Sequence, residues 1–196
     1  MEKGIRILYN KSINYIGGLG EMNEMNEIKK LINEQDLNKR ITQIAKQIEK
    51  DFENEEVILV CILKGAVYFT VDLSKNISKI PVTLDFMKVS SYGSGTESSG
   101  KVELKVDLSS NIEGKNVVIV EDILDTGYTL NYLYDYLKSK NPKTLKICVL
   151  LDKKERREKE IDVDYVGFEI ENKFVVGYGL DYADNYRNLP FVGYIE

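Results

Sequence analysis

Between Val117 and Thr129 the chain reads Val-Val-Ile-Val-Glu-Asp-Ile-Leu-Asp-Thr-Gly-Tyr-Thr. An apolar run is followed by three carboxylates, Glu121, Asp122 and Asp125, and then by the turn Thr126-Gly127-Tyr128-Thr129. Backbone N–H groups in such a turn, the two threonine hydroxyls and the positive end of a following helix together cradle a phosphate. Paired acids directly before the cradle suit sugar hydroxyls or a cation. In isolation the acids also read as polar strand-end residues, with Asp125 as a helix N-cap. Their place beside strand and cradle in one continuous unit favours a binding site. The chain has no histidine, which excludes a histidine triad, an imidazole zinc site and a histidine general base. Acid–base chemistry must therefore use carboxylates, lysine, tyrosine, cysteine or water.

The elements that position these residues follow from hydrophobic patterning. Leu37, Ile41, Ile44, Ala45 and Ile48 recur at helical spacing and predict an amphipathic helix ending near Asp51. Val57 to Leu63 is a continuous apolar run, followed by Lys64-Gly65 and a helix-like stretch through Leu73, which predicts strand, turn and helix. Further strands are expected at 81–90, 117–120, 144–151, 165–170 and 174–178, with a helix carrying Leu130, Leu133, Tyr134 and Leu137. Strands alternating with helices imply an α/β fold with βαβ units, a mostly parallel sheet and right-handed crossovers. Ligands of such sheets bind beyond the carboxyl ends of the strands, where the acidic motif falls. Residues 90–100 hold no apolar side chain except Tyr92 and predict a mobile loop.

A chain of 196 residues with 43% hydrophobic and 30% charged residues fits one folded domain. Residues 1–24, with Gly17-Gly18-Leu19-Gly20, read as an extension outside the fold, leaving 25–196 as the domain. A net charge of −5 is the wrong sign for nucleic-acid binding through the overall field. Cys61 and Cys148 sit in apolar runs and read as buried, reduced thiols. No apolar run approaches the roughly 20 residues of a spanning helix, so no membrane partner is expected and the location expected is cytoplasmic.

The segment Val117–Thr129 resembles the phosphoribosyl pyrophosphate (PRPP) signature of the type I phosphoribosyltransferases. Leu63-Lys64-Gly65, Ser91-Tyr92-Gly93, Leu150-Leu151-Asp152-Lys153, Val166 to Ile170 and Lys173 to Tyr182 are similar, in order, to segments of bacterial hypoxanthine phosphoribosyltransferases. The resemblance covers roughly residue 25 to the end. It implies that family's fold: a mostly parallel central sheet flanked by helices, a small hood and a flexible active-site loop. It also implies a magnesium-dependent transfer from PRPP to hypoxanthine and guanine, small-molecule substrates only, and a homodimer or homotetramer.

Carried onto this sequence, the resemblance gives Glu121 and Asp122 the ribose hydroxyls and Asp125, Thr126, Gly127, Tyr128 and Thr129 the 5′-phosphate. Asp125 would exchange a proton with purine N7. Lys153 would bond the 6-oxo group, Phe174 would stack on the ring and the Val175 backbone would read its edge. Asp181, at the purine side, would ligate magnesium directly or through water, with Glu121 and Asp122 as further metal-site acids. Leu63, Lys64, Gly65 and Arg187 would hold pyrophosphate, with a cis peptide in that turn, and Ser91 and Tyr92 would belong to the lid. Each residue also has an ordinary reading. Lys153 opens a charged run, 153–160, that resembles a solvated face, Phe174 could be core, Arg187 could form a salt bridge and Asp181 could cap a turn. Departures from the family pattern are Tyr128 in the cradle and Lys154, where many relatives carry proline. Xanthine as substrate, or a PRPP-sensing module without catalysis, remain the alternative functions.

Overall fold

The computed structural model describes residues 28–92 and 101–195. The elements run β1 (Ile28–Ile32), α1 (Glu34–Asp51), β2 (Val57–Leu63), α2 (Val67–Asn76), β3 (Val82–Tyr92) and β4 (Lys101–Val106). They continue with β5 (Asn116–Leu124), α3 (Tyr128–Lys138), β6 (Thr144–Asp152), a single 3-10 turn at Lys154–Arg156, β7 (Tyr165–Glu169), β8 (Phe174–Val176) and β9 (Val192–Ile195). Six strands form one sheet in the order β4-β3-β2-β5-β6-β7, parallel throughout except for β4, which runs antiparallel to β3. A separate antiparallel sheet, β1-β9-β8, takes the place of the hood.

Parallel strands covered on both faces need apolar side chains on both, which is why β2 and β5 are unbroken apolar runs. Alternate residues of β5 go to opposite cores. Val118 and Val120 meet α1 and α2 with Leu37, Ile41, Phe69 and Leu73, while Val117 and Ile119 meet α3 with Leu130, Leu133 and Leu137. Helix α1 starts where expected of a capped helix: the Asn33 side chain accepts the Asp36 N–H at 2.9 Å. Its fully buried Ile44 is one of the side chains whose truncation to alanine costs about 2–5 kcal/mol.

Four strands differ from the sequence-based expectation, and of these β1 and β9 were not foreseen at all. β5 continues to Leu124, because its ladder with β6 extends to the pair Leu124↔Asp152, so the acidic pair lies inside the strand and not after it. β4 was not foreseen, although Val102, Leu104 and Val106 alternate with charged residues as a half-exposed edge strand should. Among the described residues no helix is long and apolar enough to cross a membrane.

Candidate functional site

The carboxyl end of central strand β5 leads through Asp125 and Thr126 to Gly127, which sits at φ 92° and serves as N-cap of α3 without any side-chain cap. Asp125 is therefore not the N-cap. The first intrahelical bond is Asn131 N–H to the Gly127 carbonyl, at 3.0 Å. No acceptor among the described residues meets the backbone N–H groups of residues 126–129, which leaves the start of α3 as an open donor surface. Residues from Glu121 to Leu130 line a cavity of about 250 Å³ in front of it. The Tyr128 side chain turns the other way. Its hydroxyl bonds Glu158, which holds its pKa up, and its ring lies 5.9 Å from the Lys159 ammonium.

Glu121 is buried, and its Oε1 accepts the Asp122 N–H at 3.2 Å. Burial pushes the Glu121 pKa well above the usual carboxylate value, and the neighbouring Asp122 charge adds to it. Burial raises Asp122 too, with Arg187 opposing. Gly65 comes so close that a Cβ there would overlap the Asp122 carboxylate, and a Cβ on Gly179, at φ 104°, would overlap the Gly65 carbonyl. The turn after β2, the acid pair and the 177–181 loop thus converge. Arg187 closes the cluster, with Nη1 donating to the Gly179 carbonyl at 2.7 Å and Nη2 lying 2.6 Å from Asp181 Oδ1. Asp181 Oδ2 also accepts the Asp184 N–H at 2.8 Å. Both ordinary readings, salt bridge for Arg187 and turn cap for Asp181, are therefore realised here. Lys64 reaches Asp184 at 3.1 Å, and the Leu63–Lys64 peptide is cis.

Lys153 is buried at 7% exposure despite heading a charged run, and its N–H is fixed to the Leu124 carbonyl at 2.9 Å. Its ammonium has no hydrogen-bond partner among the described residues. Burial lowers its pKa, opposed by the Asp125 charge. Asp125 Oδ1 is turned inward with no hydrogen-bond partner, although Arg156 Nε lies 2.9 Å away outside hydrogen-bond alignment. Phe174 is 53% exposed and so is not core; Tyr182 meets it edge-on at 5.5 Å, and Val175 behind it is buried. No hydrogen bond, ion pair or ring contact joins Lys153 to Phe174. The backbone of Ser91 and Tyr92 ends β3, but their side chains and residues 93–100 of the expected lid lie outside the described residues.

Three residues that sequence reasoning assigned no role belong to this site: Tyr182 beside Phe174, and Arg156 and Arg157 beside Asp125. The signal for the arginines is composition, since the chain has five and two stand together after Lys153.

Magnesium was the implied metal. Among the described residues no group of three or more Asp, Glu, Cys or His side chains gathers to form a metal cage. The donor set still fits, because magnesium is usually held by one or two carboxylates together with substrate oxygens. Glu121 is buried and Asp122 beside it half-buried, both hard oxygen donors, and Asp181 retains lone pairs beside its two partners.

A family model described as "Phosphoribosyl transferase domain" matches residues 27–183. The chain is 48% identical over 171 residues to the hypoxanthine-guanine phosphoribosyltransferase of Aquifex aeolicus, covering 87% of this chain and 96% of that protein. It is 45% identical to the bifunctional protein TilS/HprT of Listeria monocytogenes over 92% of this chain, which spans 28% of that longer protein. A crystal structure of a Bacillus anthracis hypoxanthine-guanine phosphoribosyltransferase with HEPES in the active site superposes with a TM-score of 0.83 at 50% identity, covering 87% of this chain and 100% of that one.

Proposed function

Because the chain belongs to the phosphoribosyl transferase domain family, we propose that it transfers the 5-phosphoribosyl group of PRPP to hypoxanthine and guanine. The products are the 5′-mononucleotide and pyrophosphate, the setting is purine salvage in the cytoplasm, and the assembly is a homodimer or homotetramer. The observation that carries this reading is the set of open N–H groups at residues 126–129, placed just after the buried Glu121 and the half-buried Asp122 near the end of a central strand.

In this reading the 5′-phosphate sits on the open N–H groups at the α3 start, where the helix dipole favours an anion. Glu121 and Asp122 hold the ribose hydroxyls. Glu121, Asp122 and Asp181 would hold magnesium, which when bound would supply the positive charge that offsets the pyrophosphate leaving group. Purine N9 attacks the anomeric carbon, the bond to pyrophosphate breaks and the ring proton passes to Asp125, whose inward Oδ1 has no other hydrogen-bond partner. The buried ammonium of Lys153 donates to the 6-oxo group, Phe174 stacks on the ring, and the Val175 backbone reads its edge. Arg187 and the Leu63-Lys64-Gly65 turn receive pyrophosphate.

Steady-state kinetics with PRPP, magnesium and hypoxanthine, guanine, xanthine, adenine and uracil in parallel test the reading. Turnover of hypoxanthine and guanine is expected. Preference for xanthine would move the substrate, and PRPP binding without turnover of any base would make the chain a sensing module.

A further inference from the structure

Arg157 lies within the charged run, yet its side chain is only 10% exposed, and its ion-pair partner Asp152 is 6% exposed. The guanidinium joins two elements. Nη2 pairs with the Asp152 carboxylate at the end of β6, and Nε donates to the Asp125 carbonyl at 3.3 Å. The next two residues continue the contact, as Glu158 N–H and Lys159 N–H both donate to the Thr126 carbonyl, at 3.0 and 2.9 Å. Asn131 then takes the Gly127 carbonyl through its backbone and its side-chain amide, each at 3.0 Å. Three consecutive carbonyls, 125 to 127, are thus drawn back from the cavity.

A trans peptide is planar, with its C=O and N–H pointing in opposite directions. Holding the carbonyls of 125, 126 and 127 on one side therefore turns the N–H groups of 126, 127 and 128 to the other, which is the open donor surface. Gly127 is needed for the fit, since a Cβ there would overlap the Lys159 carbonyl and lie 3.2 Å from Arg157 Cδ.

We propose that Arg157, anchored by Asp152, is a positioning residue that sets the direction of the cradle N–H groups and so the affinity for the ligand's phosphate. The proposal rests on the reading of residues 125–129 as a phosphate site. It also assigns residues 153–159 two tasks on one segment: Lys153 at the base, and Arg157 to Lys159 behind the phosphate.

Calorimetric titration of inosine 5′-monophosphate and of inosine into wild type and variants separates this role from general support of the fold. The double variant Arg157→Met with Asp152→Leu removes the clamp without leaving a buried charge unpaired. Its affinity for the nucleotide is expected to fall by about tenfold or more, the worth of a charge-assisted hydrogen bond, while inosine binds within about twofold of wild type. Arg157→Lys retains a charge for Asp152 but not the planar fork, so an intermediate loss of nucleotide affinity is expected, again without loss of inosine. Thermal melts verify folding, and if the double variant does not fold, Arg157→Lys decides. Wild-type nucleotide affinity in a folded variant, or equal losses for nucleotide and inosine, would overturn the proposal. If the wild type turns over no purine, the reading of the site as a purine transferase fails, while the same titrations with ribose 5-phosphate and ribose still decide the role of Arg157.

Discussion

Replacing Gly65 by alanine tests how closely the turn after β2 approaches the acid pair. The added methyl would fall on the Asp122 carboxylate, and Gly65 carries no positive φ, so backbone strain contributes nothing and the contact is the whole effect. The turn cannot retreat. Its carbonyl already abuts Gly179, and that loop is held by Arg187 on the Gly179 carbonyl and by the Tyr178 hydroxyl on Asp72, at 2.7 Å each. The added carbon would lie 1.6 Å from Asp122 Oδ2, so the carboxylate must move by more than about 1 Å, and a misplacement of about 1 Å already costs on the order of 100-fold. That loss in kcat/KM for PRPP corresponds to about 2.7 kcal/mol of transition-state stabilisation. Gly114→Ala is the control, because it has φ 68° and nothing within 4 Å of the added carbon. It should cost about 1 kcal/mol of stability through backbone strain and leave kinetics unchanged. Initial rates over a grid of PRPP and hypoxanthine concentrations, with thermal melts of both variants, give the comparison. A Gly65→Ala enzyme within about threefold of wild type in kcat/KM for PRPP would refute the close approach.

Asp125→Asn should lower kcat by about 100-fold or more while PRPP binding changes little, and equal losses in the two measurements would assign Asp125 to binding instead. Asp85 is buried, and burial opposes its charge, but bonds from the Ser109, Phe86 and Ser110 N–H groups and the Ser109 hydroxyl outweigh this and hold its pKa below the usual value. A depressed folded pKa contributes stability above the unfolded value of about 3.9, and that contribution is lost as pH falls through the folded value. Asp85→Asn should therefore destabilise at neutral pH with a deficit that shrinks in acid; a deficit independent of pH in urea melts would contradict the assignment. Burial pushes Cys61 up to about 11 and Cys148 higher still, so iodoacetamide should label neither thiol in the native protein and both after denaturation.

What the sequence makes legible is what each element settles by itself. Val57–Leu63 and Val117–Val120 declare buried parallel strands because both faces demand apolar residues, and the stripe from Leu37 to Ile48 declares α1. Gly127 marks the cradle because a residue at φ 92° next to a helix start is a local requirement. Of the β1-β9-β8 sheet only the strand at Phe174 was legible; β1 and β9 were hidden, since β1 is a short strand whose partners in β9 lie more than 150 positions away, as in Ile28↔Ile195. The run from Lys153 to Glu160 shows why part of the site was hidden as well. Eight charged residues in succession average to a solvated face, yet Lys153 is drawn in beside Asp125 and Arg157 is sealed between Asp152 and the Asp125 carbonyl. Periodicity reports where an element buries its own side chains. A phosphate site built from main-chain N–H groups depends instead on which distant groups accept or hold the opposing carbonyls. Residues 126 to 129 could be named as the cradle from their types, but its orientation is determined by residues 157 to 159 and Asn131, through bonds that leave no pattern in the order of amino acids.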